Sequence, residues 1–336
     1  MEGKIADLLS FCSKVDFGVI SLCQEEETFR GYLNREMLSF CSSLPISVQT
    51  DAALFLVNYL RTSLGEGLNF VDYFYAPAWS VLFWLHCYCL DGTKLEKKLV
   101  KDAVTGHTMA MFLHAFDDHL ADGQLVTTHL ALLMRSQAWM IMSRAFARLA
   151  RGVKEGPAIV RGCVDDYYSS IGTSAGTESL DNYCALFRKQ MATWLIAPVL
   201  MAERIDPEGE LGRSVQAAYS SFGIAWRLLD DVQDIEKDLA EGTHSSIYAS
   251  LPDGIRKEWD RVKEERADEG DGCSGPVLSY VMANRVIDKI RQRICSELES
   301  AASRADSCGM NGYADELRCL LRPLKNGESY PCRETQ

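Results

Sequence analysis

The stretch WRLLDDVQDIEKD, which begins at Trp226, places four aspartates among bulky apolar residues. Asp230 and Asp234 are four residues apart and therefore share one face of a helix, and Arg227 lies one turn before Asp230. Carboxylates at this spacing repel one another unless a cation or a proton intervenes. The spacing therefore predicts a site that offsets this repulsion with positive charge.

A second stretch, FLHAFDDHLADGQ at 112–124, repeats this arrangement. Asp117, Asp118 and Asp122 fall at the C-terminal end of a predicted helix, where acidic side chains oppose the helix dipole. Mg²⁺ takes one or two carboxylates and completes its coordination shell with water and phosphate oxygens. Two such helices facing each other across a cavity can hold several Mg²⁺ ions and a diphosphate. The alternative is a pair of solvated acidic helix ends.

These aspartates need helices to position them, and helical periodicity runs through nearly the whole chain, with almost no strand alternation. The predicted fold class is all-α with about 10–13 helices, and a chain of 336 residues leaves both one and two domains open. A C-terminal tail is predicted at 323–336. The predicted helices are 3–15, 16–43, 47–62, 77–91, 94–121, 124–152, 156–172, 178–204, 209–240, 244–250, 252–267, 273–304 and 309–322.

The composition is that of a folded protein with a small-molecule partner. Hydrophobic residues make up 47% of the chain and charged residues 24%, which argues against general disorder. The net charge of -12, without a local basic patch, argues against nucleic acid and anionic membranes as partners. The longest apolar run, 76–90, is shorter than the ~20 residues that a membrane span needs.

The cysteines indicate a reducing environment. The twelve cysteines are scattered through apolar stretches and form no CxxC motif, which predicts free, buried thiols. The N-terminal stretch lacks the charged-then-apolar order of a signal peptide. We therefore expect a cytoplasmic location.

The segment IAWRLLDDVQDIEKDLAEGTHSSIY resembles the second aspartate-rich region of class I isoprenoid synthases, in their prenyltransferase branch. That region follows roughly the pattern F-Q-x-x-D-D-x-x-D, then an acid, Glu-Gly-Lys and a short apolar helix. The segment LDNYCALFRKQMATWLIAP, 180–198, resembles the preceding helix of the branch, where a Lys-Thr pair faces the diphosphate. The resemblance covers about 105–250 and implies a single-domain bundle of helices, at 1–322, packed around a central cavity.

Two departures separate this chain from the chain-elongating members. Those carry an early Gly-Lys-x-x-Arg segment, which binds isopentenyl diphosphate, and paired arginines after the first acidic motif. This chain has RTSLGEGLNFVDYFYAPAW and DDHLADGQLVTTHL there. The Asn-Ser-Glu motif of ordinary terpene cyclases is also missing, so the chain is most similar to the prenyltransferase-like terpene synthases, which use one allylic diphosphate.

The resemblance implies a class I terpene synthase that cyclises a prenyl diphosphate and releases diphosphate. A trans-prenyltransferase is the alternative enzyme, and Arg61 is one of the few early candidates for the second anion site that it needs. A non-catalytic helical protein that binds divalent cations is the rival class. The family also leaves open a homodimer.

The implied cofactor is Mg²⁺, three ions in all, with Mn²⁺ as an alternative. The implied metal ligands are Asp117, Asp118, Asp122, Asp230, Asp231 and Asp234. The implied catalytic residues are Asp117, Asp118, Asp230 and Arg227. The candidate diphosphate ligands are Arg227, Arg135, Arg188 and Lys189. For each basic residue, an ion pair with an aspartate of the chain is the structural alternative.

Ionisation leaves an allylic carbocation, which a dry pocket of aromatic rings stabilises. The candidate lining residues are Phe112, Phe116, Trp194, Phe222 and Trp226, although aromatic residues at helical spacing are usually core. In the family, bulky side chains about one turn before the first aspartate shorten the pocket, and here these are Phe112 and Leu113. We therefore favour farnesyl diphosphate and a sesquiterpene product. His114 and His119 are five residues apart, a poor spacing for zinc, and are interpreted as ordinary histidines.

Overall fold

Helical periodicity in the sequence becomes α-helix in the computed structural model, which describes residues 2–62, 69–88, 95–121, 123–171, 178–269 and 275–326. Within these ranges the chain forms sixteen α-helices, one 3₁₀ turn and no strand, so the all-α prediction is confirmed. The first eight helices are α1 (Glu2–Cys12), α2 (Gln24–Ser42), α3 (Ile46–Tyr59), α4 (Pro77–Cys87), α5 (Lys97–Ala121), α6 (His129–Ala150), α7 (Gly156–Ser170) and α8 (Leu180–Gln190). The others are α9 (Ala192–Ile205), α10 (Leu211–Gln233), α11 (Ile235–Glu241), α12 (Ser246–Ala249), α13 (Asp253–Glu269), α14 (Gly275–Ala283), α15 (Val286–Ser307) and α16 (Asn311–Asn326).

The described residues contain more helices than predicted, because three predicted helices are each broken once. One break lies at Met191, between α8 and α9. Another lies at Asp234, which ends α10 and begins α11. The third precedes α15 at Arg285, whose backbone is left-handed with a φ of 52°. The first two breaks adjoin the acidic stretch and the aromatic residues near it.

The helices that carry the two acidic stretches are α5 and α10, and both pack against α4 and α9. Every residue of α9 from Ala192 to Ala202 is buried, as expected for a helix that is apolar on all sides. Helix α10 also packs along α15 and α8, and α5 packs along α6 and α2. Since α9 lies between them, the C-terminal ends of α5 and α10 can face each other without direct helix packing.

The junction between α8 and α9 approaches α10 closely because α10 carries Gly223 there. A Cβ atom at this position would collide with the side chain of Met191. Glycine therefore allows the break between α8 and α9 to lie directly on α10.

At the C-terminal end, α16 continues to Asn326, past residue 322 where the sequence placed the end of the domain. Residues 327–336 lie outside the described residues.

None of the described helices combines the length and the apolar character that crossing a bilayer requires. Among the described residues no disulfide is formed; Cys12, Cys41 and Cys184 are buried as predicted, whereas Cys23 and Cys87 are exposed.

Candidate metal and diphosphate site

Both acidic stretches lie at the C-terminal ends of their helices. Asp117 and Asp118 are in the last turn of α5, which ends at Ala121. Asp230 is in the last turn of α10, and Asp234 is the residue between α10 and α11. Carboxylates at helix C-termini meet the negative end of the dipole, so this arrangement lacks a local structural reason. The predicted ligand Asp122 lies outside the described residues.

Asp118 and Asp230 bring the two stretches together. Desolvation by the surrounding protein raises the pKa of Asp230 to about 6; the charges of Asp231, Asp234 and Asp118 add to the rise, and Arg227 opposes it. Yet 44% of the Asp230 side chain is exposed, and Asp118 is exposed as well. The two carboxylates therefore interact while both remain accessible to water. We call the region around Asp118, Asp230 and Asp234 the acidic cleft.

Tyr73 forms a third side of the acidic cleft, from the 3₁₀ turn Val71–Tyr73. Desolvation raises its pKa to about 12, and the charges of Asp230 and Asp118 contribute to the rise. The Tyr73 hydroxyl is 3.1 Å from Nε2 of His119, whose Nδ1 is 2.8 Å from the hydroxyl of Tyr59. The sequence does not indicate that Tyr73 belongs to the metal site, because no spacing rule connects the 3₁₀ turn to α5 or α10.

Asp117 points away from Asp118, because neighbouring residues on a helix are about 100° apart. Nε and Nη2 of Arg135 donate to its two carboxylate oxygens at 2.6 and 2.9 Å, and the hydroxyl of Tyr167 donates at 2.8 Å. This is a charge-assisted, bidentate pair that fixes α5 against α6 and α7. Its geometry does not support the predicted roles of Asp117 as a metal ligand and Arg135 as a diphosphate ligand. For Arg135 the alternative ion pair is present.

Asp231 is similarly occupied by protein groups. Its side chain is 1% exposed, and Oδ2 accepts a hydrogen bond of 2.8 Å from the backbone N–H of Ser246, the first residue of α12. Its other oxygen, Oδ1, lies 3.2 Å from Nε of Arg227. The predicted role of Asp231 as a metal ligand is therefore not supported, whereas Asp234 is 46% exposed, with Nζ of Lys237 3.8 Å from its carboxylate.

Arg227 connects this buried network to the acidic cleft. Its Nε donates a hydrogen bond of 2.9 Å to the hydroxyl of Tyr183 on α8, and its Nη1 lies 3.5 Å from Oδ2 of Asp230. The guanidinium carbon also lies 5.8 Å from the ring centre of Phe187. With 23% of its side chain exposed, Arg227 is anchored on one side and accessible on the other.

The other two basic candidates are not brought to Arg227. Arg188 is turned towards α15, where its Nη2 lies 3.3 Å from Oε1 of Glu297. Lys189 is exposed on the next position of the same helix. A diphosphate-binding role for Arg188 requires that it leaves Glu297, and for Lys189 it stays a prediction.

Aromatic rings from several elements form a wall beside Arg227. The ring centres of Trp194 and Trp226 are 5.5 Å apart, and Phe74 lies 5.6 Å from Trp194 and 6.4 Å from Trp226. The imidazole of His114 lies 4.7 Å from Trp194. Trp194 and Phe74 are buried, while His114 and Trp226 are partly exposed. We call these four rings, together with Phe187, the aromatic wall.

The other predicted lining residues pack elsewhere. Phe112 and Phe116 are fully buried on the side of α5 that contacts α2 and α3, where Phe112 packs against Phe40. Phe222 packs against Tyr219 in the core. His114 lies one turn before Asp118, the aspartate that faces the acidic cleft. The position of Phe112 therefore does not support the prediction that Phe112 limits the pocket.

The donor atoms of the acidic cleft suit a hard divalent cation. Asp118, Asp230 and Asp234 offer carboxylate oxygens that water reaches, which is the ligand set that Mg²⁺ prefers when phosphate completes its shell. In the part of the chain that the structure describes, which leaves out Asp122, no three acidic, histidine or cysteine side chains are gathered closely enough to form a metal site by themselves.

Comparison with family models and with curated proteins finds no match. Solved structures do match. The polyprenyl synthetase of Streptomyces coelicolor A3(2) superposes with a TM-score of 0.61 at 12% identity, over 89% of this chain and 98% of that one. The geranylgeranyl pyrophosphate synthetase of Pyrococcus horikoshii Ot3 gives 0.61 at 11% identity, over 97% and 100%.

A third structure, the geranylgeranyl pyrophosphate synthase of Corynebacterium glutamicum complexed with isoprenyl diphosphate and magnesium, gives a TM-score of 0.54 at 15% identity. It matches over 92% of this chain and 100% of that one. At these identities the likeness establishes the fold. The chain has the fold of the class I isoprenoid synthases.

Proposed function

We propose that this chain is an isoprenoid synthase that ionises an allylic prenyl diphosphate with the help of Mg²⁺. The observation that carries this proposal is the approach of Asp118 and Asp230 from two helices, with Arg227 beside them and the aromatic wall behind. A protein of the same fold is complexed with isoprenyl diphosphate and magnesium, which supports the choice of ligand and ion.

The proposed division of labour follows the accessibility of the side chains. Asp118, Asp230 and Asp234 hold Mg²⁺, together with Asp122, which lies outside the described residues and follows Asp118 by four residues in the sequence. When bound, Mg²⁺ neutralises the diphosphate oxygens and stabilises the leaving group. Arg227 donates to the same oxygens, because Tyr183 and Asp231 hold its guanidinium from behind.

The aromatic wall excludes water from the carbon that becomes positively charged. Trp194 and Trp226 present ring faces, whose negative quadrupole attracts a cation. Phe187 connects Arg227 to these rings, because its ring centre lies 5.8 Å from the guanidinium carbon and 6.3 Å from the ring centre of Trp226. This arrangement lets the diphosphate leave towards Arg227 while the cation stays against the rings.

Two fates of the cation are consistent with this site. The comparisons favour prenyl transfer to a second isoprenoid unit, because the matching structures are prenyl diphosphate synthases. Sequence features of the chain favour cyclisation of a single diphosphate instead, since 69–77 reads NFVDYFYAP without lysine or arginine.

Arg61 is the cation that a second diphosphate would use. Its charge lowers the pKa of Tyr73, so it lies near the acidic cleft, although desolvation and the carboxylates there dominate the shift. Its backbone is left-handed, with a φ of 51°, a conformation that residues other than glycine seldom adopt outside functional or strained positions. This placement keeps prenyl transfer as a second candidate function.

The test is to incubate the purified protein and Mg²⁺ with geranyl, farnesyl and geranylgeranyl diphosphates separately, each with and without isopentenyl diphosphate. Released diphosphate and the organic products are both measured. A terpene from a lone substrate establishes cyclisation, farnesyl diphosphate being the expected substrate, and a lengthened diphosphate establishes prenyl transfer. Failure to release diphosphate under every condition would sink the proposal. The cytoplasmic location and the homodimer stay predictions.

A further inference from the structure

His114 occupies a place in the molecule that core packing does not explain. It lies four residues before Asp118 on α5 and therefore on the same face of the helix. Its ring is 4.7 Å from Trp194, 6.0 Å from Phe187 and 6.4 Å from Trp226, so it belongs to the aromatic wall. Unlike the fully buried Trp194, it remains partly exposed.

The surroundings of His114 favour the neutral form of its imidazole. Burial lowers its pKa below the usual value; the charge of Asp118 raises it, and that of Arg227 lowers it further. A neutral imidazole has one nitrogen that donates and one that carries a lone pair. The ring thus brings a basic lone pair into a wall made otherwise of carbon faces and indoles, in the part of the chain that is described.

We propose that His114 is the base that removes the final proton from the carbocation, an inference that rests on the proposed function. The C–H bond next to the cationic carbon breaks, its electron pair becomes the C=C bond, and the proton goes to the lone-pair nitrogen of His114. The imidazolium then gives its proton to the released diphosphate, which restores the neutral ring.

This step serves both fates of the cation, because cyclisation to an olefin and prenyl transfer each end with loss of a proton. It also assigns ionisation and proton removal to different residues. Ionisation depends on the acidic cleft and Arg227, whereas the final proton transfer depends on His114. A change at His114 should therefore alter which product forms more than how fast diphosphate is released.

The test uses two variants, His114→Phe and His114→Gln, assayed with the substrate that the wild-type protein accepts. Phenylalanine keeps an aromatic ring without a base, and glutamine keeps a polar side chain that is not basic. In both variants we expect the amount of main product per diphosphate released to fall at least about 10-fold, since general acid–base catalysis contributes roughly 10²-fold or more. Earlier-quenched olefins and alcohols should appear instead.

An unchanged product distribution in His114→Gln would overturn the proposal, since it would show that shape and hydrogen bonding suffice. If His114→Phe does not fold, as judged by its circular dichroism and thermal melt, His114→Gln decides alone. The matched control is His129→Gln at the exposed start of α6, which should leave products unchanged. If the wild-type protein releases no diphosphate from any substrate, the proposed function fails first, and this outcome differs from an active enzyme indifferent to His114.

Discussion

The pairs Asp117–Asp118 on α5 and Asp230–Asp231 on α10 are each adjacent in sequence, yet the two members of each pair do different work. In the first pair Asp118 faces the acidic cleft, and Asp117 is held by Arg135 and a tyrosine. In the second pair Asp230 faces the cleft, and Asp231 is buried. Neighbours on a helix diverge by about 100°, so only one member of each pair can reach a common cleft.

The two anchors differ in what they connect. Asp117 binds side chains of α6 and α7, away from the cleft. Asp231 binds the backbone of α12 and also Arg227, which itself reaches Asp230. The first anchor is therefore separable from the chemistry, whereas the second shares a guanidinium with it. This difference predicts that mutations in the two pairs will separate stability from activity to different degrees.

The largest effect is expected from Asp118→Asn and Asp230→Asn. Each removes a carboxylate from the proposed Mg²⁺ and diphosphate site, and losing one such electrostatic group costs on the order of 10²–10³-fold in kcat. The measurement is the rate of diphosphate release at saturating substrate over a Mg²⁺ titration. A rate within a few-fold of wild type for either variant would mean that the cleft-facing aspartates do not hold the ion.

Asp117→Asn should lower stability more than activity. It breaks a largely buried pair with Arg135, and removing one partner of a buried pair costs roughly 3 kcal/mol of the free energy of unfolding. Urea denaturation without Mg²⁺ measures this loss. Asp118→Asn is the matched control, because removing the charge of an exposed carboxylate among like charges should leave stability unchanged or slightly higher. Equal stability of the two variants would contradict the anchoring role of Asp117.

Mg²⁺ affinity should rise with pH through about 6. Because Mg²⁺ binds the ionised form of Asp230, whose pKa is about 6 without metal, affinity should rise by up to about tenfold per pH unit below that value. The raised pKa also means that the metal-free protein loses stability as pH rises from about 4 to 6. This stability is regained as pH falls. Calorimetric Mg²⁺ titrations from pH 5 to 7.5 check the first effect. A flat profile would place the ion away from Asp230.

The smallest effect is expected from Tyr183→Phe. This variant removes the hydroxyl that accepts from Arg227 and leaves the ring, so the guanidinium loses one of its two rear contacts. A lost hydrogen bond of about 1 kcal/mol corresponds to roughly 5-fold in kcat/KM for the diphosphate. Steady-state kinetics measure it, and the urea midpoint controls for stability. No change would show that Asp231 alone positions Arg227.

The helices themselves could be predicted because their apolar residues recur with helical spacing. The breaks at Met191 and Asp234 could not, since the apolar pattern continues through both. Met191 lies against Gly223 of α10, and this contact between distant segments depends on tertiary packing. A contact with a distant segment can thus break a helix whose own apolar pattern is continuous.

The candidate site could be outlined from the sequence, but its individual residues could not be chosen. Spacing selected both acidic stretches and Arg227, and the proposed function depends on the interaction of the two stretches through Asp118 and Asp230. It did not select between adjacent aspartates, because helix periodicity gives relative directions but no absolute orientation. The prediction of the pocket-limiting residue counted about one turn back from Asp117 and so selected Phe112. Counting one turn back from Asp118 selects His114 instead.

Sequence alone determined the all-α fold class, because helical periodicity is written locally in the order of apolar and polar residues. It also determined that two groups of carboxylates need compensating positive charge, because repulsion at helical spacing is a local property. Only the tertiary structure decided which carboxylates are available. The carboxylates of Asp117 and Asp231 accept hydrogen bonds from Arg135 and Ser246, residues that the fold brings to them from other helices. The rotation of α5 and α10 about their axes, which packing alone sets, leaves Asp118 and Asp230 facing the cleft.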